Sequence, residues 1–254
     1  MQRKIHFPNV VLIGLYTSLL FLAGHKTQAQ LRLDLESGLV LGTPYNEIRI
    51  PNQGGTYVNL PDNLTAKPTV FYRARLSYTI ANRHTLSLLY APLTVRYKGE
   101  LSQDVNFNNQ LFAANRPLNV DYTFNSYRLT YRYEFINREK WQAGVGLTAK
   151  IRDANVQFAN ESIRTNFPNL GFVPLVNVNV VYKPDEHWRL WLEGDALGSR
   201  FGRAEDIFLG GAYAINQTVG IKAGYRVVEG GADVDEVYNF TWINYASVGL
   251  LLSL

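Results

Sequence analysis

Apolar and polar residues alternate with a period of two over long stretches of this chain. Between residues 72 and 80, for example, Tyr, Ala, Leu, Tyr and Ile alternate with Arg, Arg, Ser and Thr. Successive side chains of a β-strand point to opposite faces of a sheet, so such a stretch predicts a strand with one apolar and one polar face. The pattern recurs and predicts ten strands, with eight or twelve as alternatives, over residues 31–43, 68–81, 84–98, 119–136, 141–154, 171–183, 187–198, 204–215, 218–229 and 238–254.

The length of these strands favours a membrane over water as their surroundings. Soluble strands usually have about 5–6 residues, whereas a strand that crosses a bilayer needs about 9–11. In a membrane barrel the apolar face meets lipid and the polar face lines the lumen. We therefore predict an all-β fold, a transmembrane antiparallel up-and-down β-barrel. Aromatic residues near one set of predicted turns agree with an interfacial girdle: Tyr78, Tyr133, Phe135, Trp141, Tyr182 and Trp188.

The predicted connections alternate in length. Short turns are expected at 81–83, 137–140, 184–186 and 216–217, and longer ones at 44–67, 99–118, 155–170, 199–203 and 230–237. Short periplasmic turns and long extracellular loops are typical of outer-membrane barrels. With an even number of strands, both termini of the barrel are expected on the periplasmic side. Pro92 and the Asn125–Ser126 step each disturb the alternation, which predicts a bulge at each of these positions.

The first 29 residues have the pattern of a secretory signal peptide. Arg3 and Lys4 precede an apolar run from Val10 to Gly24, and residues 27–29 offer small side chains for cleavage before Gln30. The run is shorter than the ~20 residues that a spanning helix needs. We therefore expect a signal peptide at 1–29 and one barrel domain at 30–254.

The other end of the chain resembles the C-terminal signal by which outer-membrane β-barrels are recognised for insertion. Gly249, Leu252 and Leu254 carry this resemblance, with Leu254 in the place usually taken by Phe or Tyr. The resemblance implies that the barrel-assembly machinery is a partner of this chain.

Charge and cysteine content exclude several classes of function. Three of the 25 basic residues lie within residues 1–29, which leaves 22 basic against 21 acidic residues in the predicted barrel. This balance gives no reason to expect nucleic acid as a partner. The chain has no Cys, so neither disulfides, nor a lipoprotein anchor, nor a thiolate metal site is expected.

The polar faces of the predicted strands carry charges of both signs into the lumen. Barrels of about eight strands are filled by side chains, whereas open porins have 16–18 strands, so ten strands favour a filled, salt-bridged interior. A narrow, porin-like pore that favours anions is the alternative. The residues predicted to line the lumen are Arg32, Asp34, Glu36, Arg73, Arg75, Arg128, Arg132, Glu134, Lys150, Arg189, Glu193, Lys222 and Arg226.

Candidate catalytic residues are few. Beyond residue 29 the histidines are His84 and His187, both in predicted short turns. His84 and Ser87 are three residues apart, which places them on opposite faces of a strand and prevents a shared site. The acidic stretch at 229–236 fits no EF-hand spacing. We expect no catalytic residue, no metal and no cofactor; an enzyme acting on outer-membrane lipid, as hydrolase or acyltransferase, stays as the alternative.

Over residues 30–254 the chain resembles small outer-membrane β-barrel proteins of Gram-negative bacteria. The stretch from Gly224 to Phe240 looks like the last hairpin of uncharacterised members of that group. The resemblance implies the fold, a location in the cell outer membrane, and contact with outer-membrane lipid and lipopolysaccharide. It implies no activity, and the oligomeric state stays open. The expected role is structural or that of a narrow pore.

Overall fold

A computed structural model describes residues 30–254, so the predicted signal peptide lies outside the described residues. Strands dominate this part of the chain, with one helical turn, α1 (Leu60–Asn63). The strands are β1 (Gln30–Arg49), β2 (Val58–Asn59), β3 (Leu64–Ala66), β4 (Val70–Ile80), β5 (His84–Ala91), β6 (Thr94–Glu100), β7 (Val105–Phe107), β8 (Gln110–Phe112), β9 (Pro117–Asn137), β10 (Trp141–Ala159), β11 (Arg164–Tyr182), β12 (Trp188–Ser199), β13 (Gly202–Ala214), β14 (Val219–Val234) and β15 (Val237–Ser253).

Ten of these strands close into an antiparallel barrel, which confirms the predicted fold. Their order around the barrel is β1, β4, β5, β9, β10, β11, β12, β13, β14 and β15, and β15 pairs with β1 to close the ring. Closure gives each strand of the ring a paired neighbour on both sides, the arrangement by which a barrel satisfies its backbone groups in a bilayer. No helix within residues 30–254 is long and apolar enough to cross a membrane.

The barrel exterior carries an apolar belt between two rows of aromatic rings. Leu, Ile and Val side chains such as Leu88, Leu129, Leu147 and Val176 are exposed between the rows. Tyr72 and Tyr78, in different rows on one strand, are about 20 Å apart at 3.3 Å per residue, close to the band of about 25 Å in outer-membrane barrels. One row includes Tyr78, Tyr133, Phe135, Trp141 and Trp188, and the other Tyr72, Tyr90, Tyr127, Tyr225 and Trp242.

Three of the five connections predicted to be long are short. β10 and β11 are joined by residues 160–163, β12 and β13 by residues 200–201, and β14 and β15 by residues 235–236. The strands continue past the apolar belt, so the residues predicted as loops form paired hairpins above it. The long connections that do occur lie after β1 and after β5.

These two long connections fold inward and close one end of the barrel, the end predicted above to be extracellular, with an apolar core. Leu60, Val95, Tyr97, Phe107 and Phe158 are buried almost completely, and the rings of Phe107 and Phe158 stack with centroids 4.1 Å apart. The burial of this much apolar surface stabilises loop segments that would otherwise be solvated.

The predicted bulges at Pro92 and Asn125–Ser126 are wrong. Pro92 ends β5, but β5 and β6 both pair with β9 in one continuous register, and β9 passes Asn125–Ser126 opposite β10 without a shift. The parity of the inward side chains is constant, but their chemistry changes: Arg128 and Ser126 face inward below, and Tyr122 and Val120 above. In the sequence, this change from charged to apolar inward residues looks like a one-residue shift of the alternation, which is the pattern that a bulge would produce.

The periplasmic turn between β11 and β12 shows how a short turn is fixed. The Asp185 carboxylate accepts hydrogen bonds from the backbone N–H groups of Trp188 at 2.7 Å and His187 at 2.8 Å. These two donors stabilise the charged form and lower the pKa of Asp185.

Two adjacent glycines of β13 offer a matched test of the close approach between β13 and β14. A Cβ atom on Gly210 would lie 2.4 Å from the Ala223 carbonyl oxygen and 2.6 Å from the Phe208 ring, whereas one on Gly211 would lie 3.7 Å from its nearest neighbour. Gly210→Ala should lower the free energy of unfolding by about 1–3 kcal/mol through overpacking. Gly211→Ala should change it by less than about 0.5 kcal/mol. Urea unfolding in phospholipid vesicles, followed by tryptophan fluorescence, measures both; equal stabilities would contradict the packing described.

Candidate functional site

The side chains predicted to line the lumen all lie on the inner face of the barrel. Most are buried, and three at intermediate exposure, Arg32, Arg75 and Arg189, also face inward. They fall into a periplasmic vestibule, a central ion-paired network, and a chamber toward the extracellular side. The central network consists of Asp34, Glu36, Arg73, Arg75, Arg128, Glu193, Asp195, Asp206, Lys222 and Arg226.

Asp206 on β13 is the centre of this network. Its carboxylate accepts from Arg73 at 2.9 Å, from Arg128 at 2.6 Å and from Arg226 at 2.5 Å. Arg73 and Arg128 reach Asp206 across the lumen from β4 and β9, and Arg226 reaches it from the adjacent strand β14, so a single carboxylate joins three other strands. Asp206 is 2 % exposed, and an unpaired charge at this depth would be strongly destabilising.

A second carboxylate, Glu36 on β1, links the network to the closing strands of the barrel. Arg226 donates to both of its oxygens, at 2.8 and 2.9 Å, in a bidentate pair. The Lys222 Nζ donates to Glu36 at 2.6 Å and to Asp34 at 2.8 Å. Because bidentate arginine pairs are geometrically specific, Glu36 fixes the position of β14 relative to β1, two strands away in the ring.

Asp195 and Glu193 on β12 complete the network. Asp195 accepts from Arg128 at 2.7 Å and also from the Thr148 hydroxyl at 2.8 Å, and Glu193 is paired with Arg75. The network thus contains five cations and five carboxylates, and its net charge is zero. Charged side chains can be buried when they are paired with the opposite charge and hydrogen-bonded.

Two aromatic rings lie beside the cations of the network. The Lys222 Nζ is 5.3 Å from the Trp191 ring centroid and 5.1 Å from that of Phe208, and the Arg226 guanidinium is also 5.1 Å from Phe208. Cation–π contacts at these distances are attractive. The Trp191 and Phe208 rings also fill space in the lumen, where they pack against each other in a T-shaped, edge-to-face arrangement.

The periplasmic vestibule has a volume of about 410 Å³ and is polar. Arg132 donates to Glu134 at 2.6 Å, while Arg32 lies over the Trp191 ring at 5.6 Å. Arg189 also lines this space. The vestibule is open enough for these groups to be hydrated, which the unpaired cations require.

A chamber of about 480 Å³ lies on the extracellular side of the network. Its walls are largely apolar, with Phe124, Val156 and Phe167 among them, and Lys150 and Arg152 project from β10 toward it. The Arg152 guanidinium donates to Asn169, but its buried Nε atom has no hydrogen-bond partner. Lys150 is 3 % exposed and lies 4.7 Å from the Phe124 ring.

Sequence reasoning missed Asp206 and the chamber. The segment around Asp206 carries Arg203 and Glu205 as well, so the charges do not identify the inner face. Ile207 and Leu209 face outward. Because side chains alternate along a strand, these two apolar residues were the signal in the sequence that Asp206 faces inward. The acidic stretch also differs from the predicted loop at 230–237, because β14 continues to Val234. Glu229, the last residue of the predicted strand, is buried and accepts from Arg203 at 2.8 Å and from Tyr45 at 2.6 Å.

The histidines lie apart from the network and the chamber. His84 is exposed and its Nδ1 is 2.9 Å from the Tyr131 hydroxyl, whereas Ser87 is buried and bonded to Ser77. His187 stacks on Tyr213 in a periplasmic turn. Within the described residues, no three or more His, Cys, Asp or Glu side chains are arranged to hold a metal ion.

The residues of the predicted insertion signal form part of β15 and its end. Gly249 faces the lumen, where a Cβ would lie 2.7 Å from Lys222. Leu252 pairs with Leu33 in register, and Leu254 is 70 % exposed. Recognition of these residues for insertion stays a prediction.

Loss of the Asp206 charge should destabilise the barrel strongly. Asp206→Asn leaves three arginines to share the remaining carboxylates, and removal of one member of a buried network costs about 3–5 kcal/mol. Glu205→Gln is the matched control, because Glu205 is adjacent and forms no ion pair in the described structure. Urea unfolding in vesicles measures both. An Asp206→Asn barrel as stable as Glu205→Gln would show that the network contributes little.

Comparison with known proteins supports the fold. No protein-family model and no curated protein matches the chain. Among solved structures, the outer membrane protease OmpT from Escherichia coli is similar with a TM-score of 0.51 at 9 % identity, over 91 % of this chain and 99 % of OmpT. The attachment invasion locus protein Ail of Yersinia pestis (TM-score 0.39, 8 % identity, 91 % and 100 % covered) and Neisserial surface protein A (0.31, 13 %, 88 % and 96 %) also match.

Identities this low bear on the fold and not on activity, and the two matches with TM-scores below 0.5 add nothing to the assignment. The closed ring of ten antiparallel strands, its exterior apolar belt and the likeness to OmpT agree with the predicted location in the outer membrane. Residues 30–254 have the fold of an outer-membrane β-barrel protein.

Proposed function

We propose that the protein is a non-enzymatic, non-conducting barrel of the outer membrane, whose lumen is closed at the level of the bilayer by the ion-paired network. The observation that carries this proposal is the set of contacts at Asp206, which join β13 to β4 and β9 across the lumen and to its neighbour β14. An ion that crossed the barrel would have to separate these pairs. The narrow pore, expected as an alternative from the sequence, requires a continuous aqueous path that this arrangement opposes.

The arrangement of the histidines supports a role without catalysis. A nucleophile requires a base within hydrogen-bond reach, and His84 and Ser87 lie on opposite faces of the wall. OmpT is a protease by name, but a likeness of fold carries no activity to this chain. We therefore place the barrel enzyme acting on lipid second.

The proposed partners follow from the surface of the barrel. The apolar belt meets outer-membrane lipid, and the two long connections, folded over the extracellular end, are exposed to lipopolysaccharide. Assembly by the barrel-assembly machinery is proposed from the C-terminal residues. The proposed role of the protein is then structural, and its extracellular half makes the contacts with specific partners.

Conductance across a planar bilayer tests the closed lumen. The refolded protein should give no discrete steps, because the network fills the lumen with paired charges. The double variant Arg128→Ser/Asp195→Ser removes one cation and one carboxylate, keeps the charge balance, and should produce steps. Insertion of both proteins is checked by the shift of the folded band on unheated gels. Discrete steps from the unaltered protein would overturn the proposal in favour of the narrow pore, and replacement of Arg75 should then change the anion preference.

A further inference from the structure

The barrel wall is incomplete beside the extracellular chamber. β10 and β11 pair along their full length, but β11 pairs with β12 only from Val176 to Tyr182. Residues 164–175 of β11 and 197–199 of β12 therefore border a gap in which no strand pairing occurs. The gap lies on the extracellular half of the barrel, above the central network.

The sequence of the two borders suits an open edge. Pro168 and Pro174 lie on the unpaired part of β11, and proline, which has no N–H group, is found in sheets at edges. Since β11 still pairs with β10 at both positions, the missing donors are on the free side. On the opposite border Gly198 has no side chain, and a Cβ there would meet nothing closer than 4.0 Å.

The chamber reaches this gap. Its lining includes Val173 and Pro174 from one border and Leu197 and Gly198 from the other. Leu170 and Phe172, beside the gap on the outer face, are 74 % and 65 % exposed. Phe172 is in register with Ile151, which pairs with Tyr127 of the upper aromatic row, so the gap opens at the upper edge of the apolar belt, where the acyl chains of the outer leaflet meet the head groups. A volume of about 480 Å³ is within the usual range for a small-molecule site.

Two cations in the chamber have no carboxylate partner. Lys150 forms no hydrogen bond or ion pair with any described residue, although it is 3 % exposed. Arg152 donates to the Asn169 amide, and its Nε has no acceptor. The nearby carboxylates are already used: Asp195 and Asp206 accept from Arg128, and Glu229 from Arg203. Buried cations of this kind require an anion or water.

We infer that the chamber binds a single-chain amphiphile with an anionic head group, which enters from the outer leaflet through the gap between β11 and β12. The head group, a carboxylate or a phosphate, accepts hydrogen bonds from Lys150 and Arg152. The chain lies among Phe124, Phe167 and Val173 and extends toward the gap. This inference does not depend on whether the central network conducts ions.

Binding of matched twelve-carbon probes tests the head group. Equilibrium dialysis of radiolabelled dodecanoate, dodecyl phosphate and dodecanol uses the barrel refolded in phosphatidylcholine nanodiscs, with empty nanodiscs as background. One or both anions should bind, and dodecanol should bind at least about tenfold more weakly, because it lacks the charge-assisted hydrogen bonds. Preference for dodecanoate indicates a fatty acid, and preference for dodecyl phosphate a lipid phosphate. Equal affinity for dodecanol, or no binding of either anion, would overturn the inference.

Replacement of the unpartnered lysine tests the site itself. Lys150→Gln should weaken binding of the anionic probe by about tenfold or more, while the affinity for dodecanol should stay the same. Lys98→Gln, at an exposed lysine of β6, is the matched control and should have no effect. Arg152→Gln is a second variant of the site, for the case in which Lys150→Gln fails to fold. Unchanged affinity in a folded variant of the site would assign the anion elsewhere and overturn the inference.

Obstruction of the gap tests the route of entry. Gly198→Phe places a ring on the outer face at the border of the gap and should slow uptake of the probe from the bilayer several-fold. Gly42→Phe is the control, because a Cβ on Gly42 also lies in open space, with no atom within 4 Å, and the residue lies on β1, away from the gap. Uptake at the same rate in both variants would overturn entry through the wall.

Discussion

The arrangement of the barrel depends on charges that are satisfied across the lumen. Asp195 and Asp206 lie directly opposite each other on β12 and β13, where two like charges disfavour pairing. Arg128 reaches from β9 on the opposite wall and donates to both. Because a buried carboxylate without its partner is costly, the contact fixes the distance between the two walls. The contact of Arg73 with Asp206 does the same for β4, and Arg226 joins Asp206 to the adjacent strand β14.

The interior changes from charged to apolar along the barrel axis, and this change explains the extracellular half. Above the network the inward residues of β9 are Tyr122, Val120 and Leu118, all buried. They require apolar partners, which the two long connections supply by folding inward. The extracellular end is therefore held by an apolar core, and complete pairing of every strand is less important there than at the level of the network.

The sequence predicts the lipid-facing side of this fold better than its interior. Outward residues such as Leu129 and Leu147 form an uninterrupted apolar series, because they all meet one solvent, and the number of strands follows from them. Inward residues lie in three different surroundings: the polar vestibule, the charged network and the apolar core of the extracellular half. The change from charged to apolar inward residues near Ser126 was therefore interpreted as a bulge. Asp206 was missed since its role is set by Arg73, which is 133 residues away. The gap depends on where pairing between β11 and β12 stops, and the sequence shows it only through the prolines at 168 and 174 on one border and Gly198 on the other.

The position of the chamber follows from the same charges. Lys150 and Arg128 lie opposite each other on β10 and β9, so the basic wall presents two cations to a lumen whose acidic wall presents Asp195 and Asp206. Arg128 takes both carboxylates, and Lys150 beside it is left without a carboxylate partner. On its other side Lys150 pairs in register with Val173, at the border of the gap. A cation without a partner therefore lies where the wall is open to lipid, and an anion that arrives from the bilayer meets Lys150 without disturbing the pairs that hold the barrel.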